Sequence, residues 1–346
     1  MPIYTYTLEQ AEQWDKIVRS FESYDVYYLS GYAKAFYIHG DGQPLLFYYE
    51  AENIRGINVV MKRDISDDSY FVDKIQKNTF FDLITPYGYG GWLIVGNGDK
   101  KMLFKEYEAW CQGHGIVSEF VRYHPMLKNS ELSNSFYDVV LLGNTVAIDL
   151  SSQDIIWENF TSKNRNVIRK AQKSGVRVYH GNYPEAYRRF KEVYNRTMDF
   201  DHATKYYYFS DDFYDSICND LPEQSQVFWA ELDGKIISVA IMISSNGKMN
   251  YHLSGFLREY QSIAPTNLLL YKAALWGCMN GYNTLHLGGG VGSKEDSLYK
   301  FKSAFNRKEV QQFAIGKKIY LNDVYEKMVH IKNADLNVNF FPKYRA

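Results

Sequence analysis

The chain has 346 residues, with 39 Lys and Arg against 40 Asp and Glu and a formal net charge of −1. That balance argues against a dedicated nucleic-acid binder and leaves room only for local basic patches, with DNA not expected as a partner; the length suits two domains of about 150 residues each. Cys111, Cys218 and Cys278 form no CxxC or Cys/His spacing, so no metal is expected and the thiols are expected reduced.

The first residues lack a basic stretch followed by an apolar core, and no run approaches about 18 consecutive apolar residues. A cytoplasmic protein without a transmembrane segment is expected. Tyr and Phe number 31 and 21. A tyrosine ring can be buried and still offer its hydroxyl, which suits polar-lined grooves as well as cores.

In chain order, residues 8–21 read as a helix with Thr7 as N-cap, followed by an aromatic segment over 24–38. Residues 44–49 and 55–61 read as strands joined by "EAENI", a hairpin. Over 80–95, Pro86, Gly88, Gly90 and Gly91 interrupt two apolar runs and forbid a regular element. That loop carries Tyr87, Tyr89 and Trp92, as a tight structural turn or as a place of close backbone approach. A helix over 101–113, a strand over 116–122 and a turn at "YHPMLKN" follow. Residues 137–142 are extended, and a strand over 144–150 opens the next unit, so the expected domains are 1–144 and 145–346.

Residues 151–175 read as helical, with Lys163, Arg165, Arg169, Lys170 and Lys173 in eleven residues and no acid among them. Arg165, Arg169 and Lys173 share a face at i, i+4 spacing. Such a stripe is either a solvated surface or a face for phosphates, pyrophosphate or an RNA backbone. A strand over 176–179, a helix over 184–199 and a helix capped by Ser210 come next. Strands over 227–232, 234–244 and 248–256 are linked by "LDG" and "SNG" turns. A polar loop then leads to a helix with Thr266 as N-cap, and a strand over 284–287 runs into Gly288, Gly289 and Gly290. This strand, helix, strand unit implies a parallel pair, with ligands gathering at strand ends and the helix N-terminus. A strand over 310–315 and a helix over 322–330 end the chain. The glycine run lacks the GK[ST] of a nucleotide P-loop, so an ATPase is rejected.

"NRNVIRKAQKSGVRV" (164–178), "VYNRTM" (193–198), "YHLSG" (251–255), "LHLGGGVG" (285–292) and "SLYKFKSAFN" (297–306) resemble the Fem-like (FemAB) branch of the GNAT acyltransferase superfamily. "DLITPYGYGG" (82–91) and "GIVSEFVRYHP" (115–125) are similar to the same family, so the resemblance covers most of the chain. It implies an α/β (α+β mixed sheet) fold of two tandem GNAT-like domains, each a mixed sheet flanked by helices, with a substrate cleft between or across them. It also implies transfer of an acyl or aminoacyl group to an amine, often on a cell-envelope precursor, from acyl-CoA or aminoacyl-tRNA. The usual pyrophosphate loop, Q/RxxGxG/A, is here "REYQSIAPTN", which keeps Arg258, Gln261 and Ala264 but not the glycines.

Amide formation needs a deprotonated amine, a stabilised oxyanion and a protonated leaving group, but no enzyme nucleophile. The chain has neither a GxSxG elbow nor a Cys/His signature. His252 and His286 fall on neighbouring strands and alternate with apolar residues, so each is read as a proton acceptor near neutral pH or as a structural histidine. Lys302, behind the glycine run, is read as an anchor for phosphate or leaving group, with Asp296 orienting it or acting as base. Arg165, Arg169, Lys173, Arg258, Gln261, Gly288, Gly289 and Gly290 are the expected donor-binding set. Arg196, Tyr206, Tyr207, Tyr208, Tyr87 and Tyr89 are the expected acceptor-binding set. The expected activity joins an acyl group from acyl-CoA to an amine on a cell-envelope sugar or peptidoglycan-type precursor. Aminoacyl-tRNA is the alternative donor, its RNA held by the basic stripe, and a non-catalytic binding module is the second alternative.

Overall fold

The computed structural model describes residues 3–308, 310–335 and 339–346. The first part of the chain forms β1 (Ile3–Tyr6), α1 (Ala11–Arg19), α2 (Ser30–His39), β2 (Gln43–Ala51), β3 (Ile54–Asp64), β4 (Phe81–Ile84), β5 (Leu93–Gly96), α3 (Lys100–Gly113), β6 (Ile116–Arg122) and β7 (Asp138–Asp149). The second part forms α4 (Gln153–Asn159), α5 (Ser162–Lys173), β8 (Arg177–Gly181), α6 (Pro184–Phe200), α7 (Asp211–Asp220), β9 (Ser225–Leu232), β10 (Lys235–Ser245), β11 (Lys248–Phe256), α8 (Pro265–Met279), β12 (Thr284–Gly288), α9 (Ser297–Ser303), β13 (Gln311–Ile319) and α10 (Asn322–Lys332). No helix among the described residues is long and apolar enough to cross a membrane.

Two compact units result, Met1–Leu142 with Phe313–Ala346, and Gly143–Gln312. The chain does not divide as a single cut after residue 144 would have it, because the last segment returns to the first unit. Its reason is a long-range pairing: β13 lies antiparallel to β6, Ile315 opposite Arg122. Tyr325, Met328, Val329 and Tyr344 then bury against Ile65, Phe71 and Val117.

The first unit orders its strands β1, β2, β3, β4, β6, β13, with β5 also on β3. Only β4 and β6 run parallel, so the sheet is mixed. Its core holds a buried carboxylate, Glu119. The hydroxyls of Tyr320, Tyr137 and Tyr107 donate to Glu119 Oε2 at 2.6, 2.8 and 3.2 Å, and Asn58 Nδ2 donates to Oε1 at 3.2 Å. Burial still pushes this carboxyl above its ordinary value, against those four bonds.

The proline and glycines of the 80–95 loop are clamped from behind. The Arg122 guanidinium donates to the carbonyls of Thr85, Pro86 and Gly88 at 2.8, 2.9 and 3.1 Å. Asn129 Nδ2 donates to the Gly90 carbonyl at 2.8 Å. An irregular segment cannot satisfy its own carbonyls, and these two side chains do it instead.

The second unit orders its strands β7, β12, β11, β10, β9, β8. β11 and β12 are parallel and the other pairs antiparallel, a second mixed sheet. β10, "KIISVAIMISS", is buried almost end to end, as a near-continuous apolar run requires when both faces are covered. α6 packs on β10 and β11, and α8 packs on β9 and β10 with α5 beside it. Gly277 of α8 lies so close to Met249 and Leu150 that a Cβ there would collide with both.

Two local readings are corrected. The helix expected over 151–175 is two helices, because Phe160 is extended and Thr161 caps α5 by accepting from Asn164 N at 3.2 Å. Thr266 is not the N-cap of α8. Ala264 takes that position with Pro265 at the first helical turn, and Thr266 Oγ1 instead bonds Ser238 Oγ at 2.9 Å.

Candidate active site

Parallel β11 and β12 pair only from Lys248 opposite Thr284 to Asn250 opposite His286. Both strands continue, to Phe256 and to Gly288. Each carries an extra residue where the ladder stops. On β11, Leu253 faces Ile241 and Tyr251 faces Met242, which makes His252 the inserted residue. On β12, His286 faces Ala147 and Gly288 faces Val146, which makes Leu287 the inserted residue. A bulge bends its strand and increases its twist. The bulges lie just past the last β11/β12 pair, where the two strands stop bonding to each other and leave a wedge between their ends.

At the end of β12, Lys302 Nζ donates to the Gly289 carbonyl at 2.7 Å and is 9% exposed. Burial pulls its ammonium down to about 8, with the Asp296 carboxylate acting in the other direction. Gly289 therefore turns its carbonyl to a cation. Asp296 has both oxygens committed: Oδ1 accepts from Tyr299 N at 2.9 Å as the N-cap of α9, and Oδ2 accepts from Val291 N at 3.1 Å. These backbone donors hold its carboxyl below the usual range, and its two bonds brace the glycine run against the start of α9. Gly290 leaves no room for a side chain, since a Cβ would collide with the Lys294 carbonyl and the Asp296 carboxylate.

His286 is buried on β12 beside Asn250. Burial pulls His252 down to about 3. Desolvation there favours the neutral imidazole and makes it a weak proton acceptor.

The basic stripe divides. Arg165 donates to the carbonyls of Trp157, Glu158 and Phe160 at 3.3, 3.4 and 2.7 Å, satisfying the end of α4. Lys170 Nζ donates to the Ser262 carbonyl at 2.8 Å. Lys163, Arg169 and Lys173 are exposed, with the Arg169 guanidinium 5.0 Å from the centre of the Trp157 ring.

The loop after β11 is a 3₁₀ turn over Arg258–Ile263. Arg258 donates to Asp201 Oδ1 at 2.6 Å and lies over the Phe200 ring at 4.4 Å. Glu259, in the same turn, faces Lys235 at 3.4 Å and Arg196 at 3.5 Å. Gln261 is exposed. Tyr206 and Tyr207 are exposed beyond α6, and Tyr208 donates to Asp199 Oδ1 at 2.7 Å. Tyr87 and Tyr89 belong to the first unit, where Tyr87 stacks on Phe36 and Tyr89 packs edge-on against Tyr27.

Residues 160–302 match the family model described as Acetyltransferase (GNAT) domain. The second unit carries a GNAT domain. No curated protein matches the chain in sequence. The fold is that of FemX, with a TM-score of 0.67 at 12% identity over 94% of this chain and 99% of that one. The C-terminal domain of a putative lysylphosphatidylglycerol synthetase from Agrobacterium fabrum aligns with a TM-score of 0.56 at 15% identity over 93% and 96%. L-PGS from Bacillus licheniformis aligns with a TM-score of 0.50 at 13% identity over 86% and 90%. The Fem-like resemblance read from the sequence and this fold agree.

The GNAT domain also uses residues that sequence reading passed over. Asn267 Nδ2 donates to Asn164 Oδ1 at 2.9 Å, and Asn164 Nδ2 donates to the Ala304 carbonyl at 3.3 Å. Asn306 Nδ2 donates to the Ala147 carbonyl at 2.7 Å. These bonds tie α5, α8, β7 and the end of α9 around the wedge. Asn164 and Asn306 lie inside the quoted motifs, but nothing local shows that their amides are spent on distant carbonyls. Asp201, which neutralises Arg258, had no signal at all.

Proposed function

We propose that the protein transfers an acyl or aminoacyl group to an amine, with the reacting carbonyl held in the wedge between β11 and β12. The observation that carries this reading is the early end of the β11/β12 ladder at paired bulges, with the buried Lys302 of α9 bonded to Gly289 just past the end of β12. The amine nitrogen attacks the donor carbonyl, and the adduct collapses with loss of the thiolate or alkoxide while the proton released from the nitrogen passes to solvent, from which Lys302 is reprotonated. Lys302, with a proton affinity near neutral pH, supplies positive charge to the developing oxyanion and a proton to the leaving group. The acceptor in this reading is an amine-bearing sugar or peptidoglycan-type precursor, met in the cytoplasm.

The loop after β11 favours aminoacyl-tRNA over acyl-CoA as donor. Its own cation, Arg258, is spent on Asp201, and Lys235 and Arg196 beside it are drawn to Glu259 of the same turn. The exposed Lys163, Arg169 and Lys173 suit an RNA backbone. The name of one structural neighbour, a putative lysylphosphatidylglycerol synthetase, is in keeping with an aminoacyl group as the one transferred. The test incubates the protein with labelled acetyl-CoA and, separately, with aminoacyl-tRNA, each with a panel of amines. Turnover abolished by Lys302→Ala supports the reading; no turnover with either donor sinks it.

A further inference from the structure

We propose that Asp296 is a positioning residue for Lys302: one carboxylate fixes both the glycine run and the start of the helix that carries the lysine, and so sets the reach of Lys302 Nζ to Gly289. This rests on the transferase reading above for its kinetic consequence, though not for its geometry.

The argument starts from what each partner would do alone. α9 is only two turns long, Ser297–Ser303, and so short a helix keeps its position only if its ends are tied down. Asp296 Oδ1 ties its start through Tyr299 N. The preceding run over 289–293 lies past the end of β12, includes positive-φ Gly292 and Ser293, and has no regular ladder to hold it. Asp296 Oδ2 holds that run through Val291 N. Gly290 then packs directly on the same carboxylate, which is why no side chain fits there. Lys302 sits on the second turn of α9 and closes the ring by donating back to Gly289. The chain thus folds into a loop whose two ends meet at Asp296 on one side and at the Lys302–Gly289 bond on the other. Asp296 is also the carboxylate that acts on the Lys302 ammonium.

Two substitutions separate bracing from simple helix capping. Asp296→Ser keeps a good N-cap for α9 but is too short to hold Val291 N as well. Asp296→Asn keeps the size and one accepting oxygen but removes the charge. The ionisation of Lys302 is read directly, by competitive labelling with acetic anhydride across pH 6 to 11 and peptide mass spectrometry, in the full chain without any donor. The expected result is a Lys302 midpoint shifted to lower pH in Asp296→Asn, and faster Lys302 labelling in Asp296→Ser as the Gly289 bond loosens. Where transfer is measurable, kcat falls at least tenfold in Asp296→Ser while KM for the donor changes less than threefold. Wild-type midpoints and labelling rates in both variants, with melting temperatures preserved, overturn the proposal. A protein with no transferase activity at all would leave the labelling result to decide the bracing, so the two readings fail separately.

Discussion

The Arg258 guanidinium and the Asp201 carboxylate stand 2.6 Å apart and fasten the turn after β11 to the end of α6. That turn leads directly into α8, so the pair decides whether the Arg258 guanidinium is available near the start of that helix.

Asp201→Asn should release Arg258. Both side chains are about two-fifths exposed, so the cost in stability should stay within about 1 kcal/mol. Affinity for coenzyme A, read by calorimetry at low salt, should rise at least threefold over the wild type. An unchanged affinity would mean that the pairing is not what excludes a pyrophosphate.

Lys302→Met removes a buried ammonium. The fall from 10.5 to about 8 means that the fold holds the charged form at a cost of about 3 kcal/mol at neutral pH. A lysine with a depressed folded value contributes stability above its unfolded value, and that contribution is lost as pH falls through about 8. The orphaned Gly289 carbonyl offsets about 1–3 kcal/mol of the gain. Urea unfolding at pH 7 should therefore show Lys302→Met no less stable than wild type, while turnover falls by about a hundredfold or more.

Glu119→Ala should cost about 3–5 kcal/mol in urea unfolding, because three tyrosine hydroxyls and the Asn58 amide lose one acceptor. Glu119→Gln tests the charge. A carboxyl with a raised folded value contributes stability that is fully present below its ordinary 4.5 and lost as pH rises through the folded value. The wild type should therefore gain on Glu119→Gln as pH falls from 7 towards 4; parallel curves would contradict the shift.

His252 carries the opposite sign. Its value is depressed from 6.5 to about 3, so its contribution is present above 6.5 and drains away as pH falls towards 3. In His252→Gln, acid unfolding between those values should be less steep. The acidic limb of the kcat/KM profile should not move, because His252 does not titrate in that range.

Arg122→Lys keeps the charge and loses the fork. Three carbonyls of the 80–95 loop then share one ammonium, and stability should fall by about 2 kcal/mol. The drop should show as faster proteolysis within that loop before global unfolding.

Local patterns were legible without coordinates. Alternation placed β11, an apolar period placed α8, and one helix between two strands required β11 and β12 to run parallel, as they do. The hairpins from β2 to β3 and from β9 through β11 followed from their turn residues. The cation stripe was also legible as composition, but not as function. Arg165 and Lys163 look alike in a sequence; only the break at Phe160 leaves carbonyls that claim Arg165.

The sequence alone therefore determined most of the elements, because they rest on periodicities and turns that act within a few residues, and its motifs carried the Fem-like resemblance that implied the tandem mixed sheets. The tertiary structure alone decided the rest. It returned residues 313–346 to the first unit through β13 on β6 and Tyr320 on Glu119. It opened the wedge at His252 and Leu287, spent Arg258 on Asp201, and buried Lys302 against Gly289. Each of those joins residues that local spacing does not relate, through bulges, buried charge and spent hydrogen-bonding groups, and such relations exist only once distant segments are packed together.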